Sequence, residues 1–300
     1  MKSIRGCGTA IVTPFLANGA VDVKSLRALV EWQIAEGIDF LVPCGTTGES
    51  PTLSHAEQLR VVQLTIDEAR GKVPVLAGAG GNDTSHVIAL AREFKDLGAS
   101  GILSVSPYYN KPTQEGLYQH FKALAAAVEL PIILYNIPGR TGVNIEPATI
   151  ARLAQIGNII GVKEASGNIS QMAALLDIVP AEFLVLSGDD GITLPLLAIG
   201  GKGLISVASN EIPAEMTRLV QLGLASDFAA ARAIQHRYFR LMDINFIETN
   251  PTPAKVAMSL MGLCEPFCRL PLVQPKPENV AKIRGVLESL GMVQQVYAAR

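Results

Sequence analysis

Lys163 closes an apolar run over residues 158–164 (Asn-Ile-Ile-Gly-Val-Lys-Glu), and no other residue in this setting offers as much chemistry. Desolvation disfavours an ammonium group and favours the neutral amine, which is nucleophilic. Such an amine can condense with a ketone to form a Schiff base. Two ordinary alternatives stand beside that reading: the lysine snorkels to water, or it pairs with Glu164.

Other reactive side chains fall at the ends of similar apolar runs. Thr46 and Thr47 lie in Gly45-Thr46-Thr47-Gly48-Glu49-Ser50, where hydroxyls and backbone N–H groups suit a small carboxylate, or where glycines simply build a turn. Tyr108 and Tyr109 precede Asn110-Lys111-Pro112 and read as phenols for proton transfer or as a loop anchor and subunit contact. Tyr135 is a candidate proton shuttle or a core tyrosine. Arg140, in Pro138-Gly139-Arg140-Thr141-Gly142, reads as a carboxylate clamp or an exposed surface cation. One amine, several hydroxyls and one guanidinium converging in one pocket suit Schiff-base chemistry.

Eight short apolar runs must carry these groups: 8–12, 40–44, 73–77, 101–105, 132–135, 159–163, 183–187 and 203–207. Amphipathic stretches such as 23–36, 56–70, 84–97 and 115–128 separate them, with a capping box at Ser54 and Glu57. The alternation fits an α/β fold, a closed (β/α)8 TIM barrel, with an open doubly wound sheet as the competing architecture. A barrel gathers its site at the carboxyl ends of its strands, where Gly188 and Ile205 join the residues above. Beyond Leu224 the pattern turns helical, over 227–246, 254–261 and 278–290. The expected domains are a barrel over 1–224 and a C-terminal all-helical domain over 225–300.

The 300 residues are 49% hydrophobic and 17% charged, ample for a large core. A net charge of −2 without a basic stripe argues against nucleic acid and anionic membrane as partners. No run is long enough for a membrane span or a signal peptide. Cys7 and Cys44 sit in apolar segments, and the lone Cys264/Cys268 pair lacks further zinc ligands. A cytoplasmic protein is expected. His55, His86, His120 and His236 show no ligand spacing, so no metal is expected. Gly78-Ala79-Gly80-Gly81-Asn82-Asp83 lacks the last glycine of a dinucleotide fingerprint, and Gly200-Gly201-Lys202-Gly203 lacks the Ser or Thr of a P-loop. Asp189-Asp190 reads as helix capping rather than metal ligation.

Five segments in order carry a resemblance that spans the chain from about Gly6 to the C-terminal helices. They are Cys44 to Ser50, Ser106 to Pro112, Tyr135 to Gly142, Gly161 to Ala165, and Leu186 to Asp190. In combination they resemble the dihydrodipicolinate synthase / N-acetylneuraminate lyase family. The resemblance implies a (β/α)8 barrel with a helical C-terminal domain, commonly a homotetramer built as a dimer of dimers, and no cofactor.

It implies that Lys163 forms an imine with pyruvate and that Tyr135 relays protons, linked through Thr46 to Tyr109 of a neighbouring subunit. Thr46 and Thr47 would hold the pyruvate carboxylate, with Gly188 and the Ile205 carbonyl lining the pocket. The Thr pair and Arg140 resemble the synthase branch, in which that arginine binds L-aspartate-4-semialdehyde. The product would be 4-hydroxy-tetrahydrodipicolinate, in diaminopimelate and lysine biosynthesis. Sister aldolases and lyases acting on hydroxy-oxoglutarate, keto-sugar acids or N-acetylneuraminate are the alternative. The family's lysine-inhibitor region would correspond to Ser50, Pro51, His55, Gln58, Asn82, His86 and Tyr108. His86 stands where a glutamate would pair with the lysine ammonium, so weak or absent lysine inhibition is expected.

Overall fold

A computed structural model describes residues 4–293. Helix and strand alternate from β1 (Gly6–Thr9) through α1 (Val23–Ala35), β2 (Phe40–Leu41), α2 (His55–Ala69), β3 (Leu76–Gly78) and α3 (Thr84–Asp96). Next come β4 (Gly101–Val105), α4 (Gln114–Ala127), β5 (Ile132–Asn136), the short α5 (Pro138–Thr141) and α6 (Pro147–Leu153). β6 (Ile159–Glu164), α7 (Ile169–Ile178), β7 (Leu184–Ser187), α8 (Thr193–Ala198), β8 (Gly203–Ser206) and α9 (Pro213–Leu224) complete the alternation. Three further helices follow: α10 (Phe228–Ile244), α11 (Thr252–Leu260) and α12 (Pro277–Ser289).

All ladders are parallel, in the order β2-β1-β8-β7-β6-β5-β4-β3. The two ends of that sheet meet through a parallel bridge between Leu41 and Val75, which excludes an open sheet and closes the barrel. The first and third strands differ from their apolar runs for physical reasons. Ala10, Ile11 and Val12 are buried, but the regular ladder ends at Thr9; Ala10 and Ile11 still donate to the Ser206 and Val42 carbonyls, and the Val12 N–H turns to the Asn210 side chain. Pro74 has no N–H to donate, and regular pairing on the third strand starts only after it. The expected capping box on α2 is present, with Ser54 accepting from the Glu57 N–H and Glu57 accepting from the Ser54 N–H.

Two apolar cores follow from the strand period of two. Inward residues such as Phe40, Leu76, Leu103, Ile133, Leu186 and Ile205 fill the barrel. Outward ones such as Ile102, Leu134, Val162 and Val185 pack under the helices. α9 packs on α8 and β1, α10 packs on α9, and α12 packs on α10 and α11. No helix among the described residues is long and apolar enough to cross a membrane.

Candidate active site

Strand register decides what Lys163 can touch. Tyr135 on β5 and Lys163 on β6 are direct partners, so both side chains enter the barrel. The next pair, Asn136 and Glu164, faces the opposite way, and Asn136 Nδ2 donates to Glu164 Oε2 at 2.9 Å. Glu164 also accepts from the Ser166 N–H at 2.7 Å and from Gln171 Nε2 at 3.4 Å. Glu164 is therefore satisfied without Lys163. Lys163 is only 4% exposed, yet no described residue gives its amine a hydrogen bond or an ion pair. Its Nζ lies 4.3 Å from the centroid of the Tyr135 ring. A Cβ built on Gly188 would stand 2.9 Å from Lys163 Cε and 2.7 Å from Ala165 Cβ, so the lysine stem passes where only glycine fits.

Tyr135 also lines a cavity of about 590 Å³, together with Thr46 and Arg140. Ser50, Pro51, Gln58, Asn82, His86 and Tyr108 line the same space, so the expected inhibitor positions and the substrate-facing residues share one cavity in a single chain. The remaining sequence candidates lie elsewhere. Thr47 is buried in its loop without lining this cavity, and Ile205 packs inside the barrel. Tyr109 is 89% exposed, on a left-handed backbone at φ 73°, and does not line this cavity. His55, at the start of α2, does not line this cavity; its Nε2 lies 2.9 Å from Glu93 Oε2 of α3. Cys44 lines the cavity, but burial pushes its thiol up to about 12, which disqualifies it as a thiolate nucleophile at neutral pH.

The acidic pair after β7 splits into two jobs. Asp189 caps a short turn, accepting from the Gly191 N–H at 2.8 Å. Asp190 departs from the capping expectation: it is buried and accepts from Ser206 Oγ at 2.6 Å and from the Val207 and Ala208 N–H groups. It ties the end of β7 to the end of β8. Burial raises its carboxyl above the usual range, opposed by those three hydrogen bonds.

Residues 3–290 match the model of the Dihydrodipicolinate synthetase family. The chain belongs to that family. The 4-hydroxy-tetrahydrodipicolinate synthase of Koribacter versatilis is 52% identical over 298 residues, 99% of each chain. The chloride-inhibited dihydrodipicolinate synthase of Acinetobacter baumannii, solved with pyruvate, gives a TM-score of 0.95 at 45% identity and covers 97% of this chain and 100% of that one. The enzyme of Cyanidioschyzon merolae, solved with lysine bound, gives 0.93 at 39% identity, with 96% and 99% covered.

Sequence reasoning missed the residues that hold this family's threonine loop in place here. Glu49 is buried and pairs with the fully buried Lys255 of α11, while its other oxygen accepts from the Arg269 N–H at 3.0 Å. Arg269 in turn holds Glu57 through two contacts, which drives the Glu57 carboxyl down to about 2. Asn250 Nδ2 donates to Thr47 Oγ1 at 3.1 Å, and its carbonyl accepts from Arg140 Nη2 at 3.1 Å. One signal was in reach: Lys255 interrupts the apolar stretch 253–258 much as Lys163 interrupts its strand.

Proposed function

We infer that this protein forms 4-hydroxy-tetrahydrodipicolinate from pyruvate and L-aspartate-4-semialdehyde through a Schiff base on Lys163. One observation carries the mechanism: a buried amine without a structural partner, beside a phenol that lines a cavity bearing Arg140. The full-length likeness to named synthases supports the choice of substrates.

The pyruvate carboxylate rests on the Thr46/Thr47 loop, and Nζ of Lys163 adds to the ketone carbon. Loss of water gives an iminium, near the Ile205 carbonyl. Loss of a methyl proton then gives the enamine, with the iminium as electron sink. Tyr135 moves these protons through Thr46 to Tyr109 of a neighbouring copy, a role that suits the exposure of Tyr109. The enamine carbon attacks the aldehyde, whose carboxylate Arg140 holds. The semialdehyde amine finally displaces Lys163 as the ring closes. The imine itself supplies the electron sink, so the cycle calls for no cofactor or metal.

We assign the barrel to 1–224 and a helical assembly domain to 225–300, and the working state to a homotetramer. The free cysteines, whose thiols burial pushes up, suit a cytoplasmic enzyme of lysine and diaminopimelate biosynthesis. The test pairs pyruvate separately with the semialdehyde, N-acetylmannosamine and glyoxylate, and identifies products by mass spectrometry. Turnover with the semialdehyde is expected. Preference for another aldehyde would overturn the substrate assignment and leave Lys163 its role.

A further inference from the structure

Thr47 can serve an anion only if its hydroxyl proton points at that anion. A threonine hydroxyl has one proton and two acceptor sites. Thr47 is 3% exposed, and Asn250, 4% exposed and 203 residues away in sequence, donates from Nδ2 to its oxygen. That bond engages the Thr47 oxygen as an acceptor and leaves its proton for another partner. The backbone carbonyl of the same residue accepts from Arg140 Nη2. Asn250 thus touches two of the three groups assigned to substrate carboxylates, Thr47 and Arg140, although it belongs to neither the loop nor the helix that carries them. Its Oδ1 is buried and meets no donor among the described residues. A buried amide left half-satisfied is a cost that packing alone does not explain.

Resting on the functional reading above, we propose that Asn250 is a positioning residue whose amide fixes Thr47 as the hydrogen-bond donor for the keto-acid carboxylate. The side chain serves the first substrate. The carbonyl anchors Arg140 and survives side-chain replacement. Asn250→Ala frees the Thr47 hydroxyl to rotate. Asn250→Asp is close to isosteric, yet a carboxylate only accepts, so it captures the Thr47 proton and also repels the anion.

The experiment traps pyruvate on Lys163 with borohydride over a range of pyruvate concentrations, using full-length protein without a second substrate. Wild type is compared with N250A, N250D, T47V and the T47V/N250A double variant, and thermal melting checks that each is folded. N250A should raise the half-saturating pyruvate concentration by about tenfold, the scale of one hydrogen bond, and N250D should raise it further. In the T47V background N250A should add nothing. KM for the semialdehyde should stay within about twofold, because the Arg140 anchor is backbone. Unchanged pyruvate dependence in folded N250A and N250D, or equal losses from N250A with and without Thr47, would overturn the proposal. Wild-type protein that traps no pyruvate would instead overturn the functional reading, and this proposal with it.

Discussion

Two lysines are buried among the described residues, and their surroundings could hardly differ more. Lys255 is fully buried and fully engaged: Glu49 supplies a carboxylate, the Phe267 carbonyl accepts at 3.0 Å, and the Phe15 ring lies 4.3 Å away. Lys163 is nearly as buried, but among the described residues only the Tyr135 ring faces its amine. A buried ammonium is tolerated when paired and hydrogen-bonded. Lys255 meets that standard and reads as structure. Lys163 does not, and an amine kept without a partner is available for a bond to substrate.

Exchanging the consequences of losing each lysine would break this comparison. Lys163→Ala should lower turnover by roughly 10⁴-fold or more and abolish borohydride trapping, while unfolding stability holds or rises. Trapping that persists in this variant would move the nucleophile elsewhere. Lys255→Met should do the reverse. It leaves Glu49 buried without its cation, which should cost about 3–5 kcal/mol in chemical denaturation. The folded fraction should still trap pyruvate. A stable Lys255→Met protein would remove the contrast on which the assignment rests.

The same pair shows how far the sequence could be read. Both lysines interrupt apolar stretches, so the pattern alone favours neither. What separated them was position: Lys163 ends the sixth of eight strand-like runs, where a barrel gathers its chemistry, whereas Lys255 falls in the helical tail. Periodicity therefore made the barrel, the tail and the strand-end residues legible. Ladder ends were less so, because apolar residues at 10–12 are buried beyond the regular ladder, with only single backbone hydrogen bonds from Ala10 to Ser206 and from Ile11 to Val42. The Asn250–Thr47, Glu49–Lys255 and Glu57–Arg269 contacts were invisible. Each spans more than 200 residues, and no local spacing encodes them.

A smaller effect probes the room given to Lys163 rather than the lysine itself. The Gly188 position leaves no space for a methyl group, with Lys163 Cε at 2.9 Å and Cγ at 3.1 Å from a built Cβ. Gly188→Ala should push the lysine stem aside by a fraction of an ångström to an ångström, and such misplacement costs about 10²-fold in rate. Melting temperature should also fall, since the built Cβ stands 2.7 Å from Ala165 Cβ, which has no rotamer with which to give way. A trapping rate within twofold of wild type would mean that the amine tolerates the displacement that this geometry forces on it.

The lightest test asks what a third amine, free lysine, would meet in the cavity. Lys255 sets the standard: a carboxylate, a carbonyl and a ring, all dry. The cavity offers Tyr108 as a ring, but its acidic side chain is Asp83, an exposed helix cap already accepting from the Ser85 N–H at 2.9 Å. His86 and Gln58 supply no negative charge, and His55 is held outside by Glu93. Lysine should therefore not half-inhibit this enzyme below about 1 mM, in contrast to a site built for it. His86→Glu places a carboxylate on the cavity wall and should lower the half-inhibitory concentration by about tenfold, one charge-assisted hydrogen bond. Salt should erode that gain, since His86 is exposed on its helix. Sub-millimolar inhibition of the wild type would show that the cavity finds an ammonium partner other than a buried carboxylate, and the standard set by Lys255 would no longer apply.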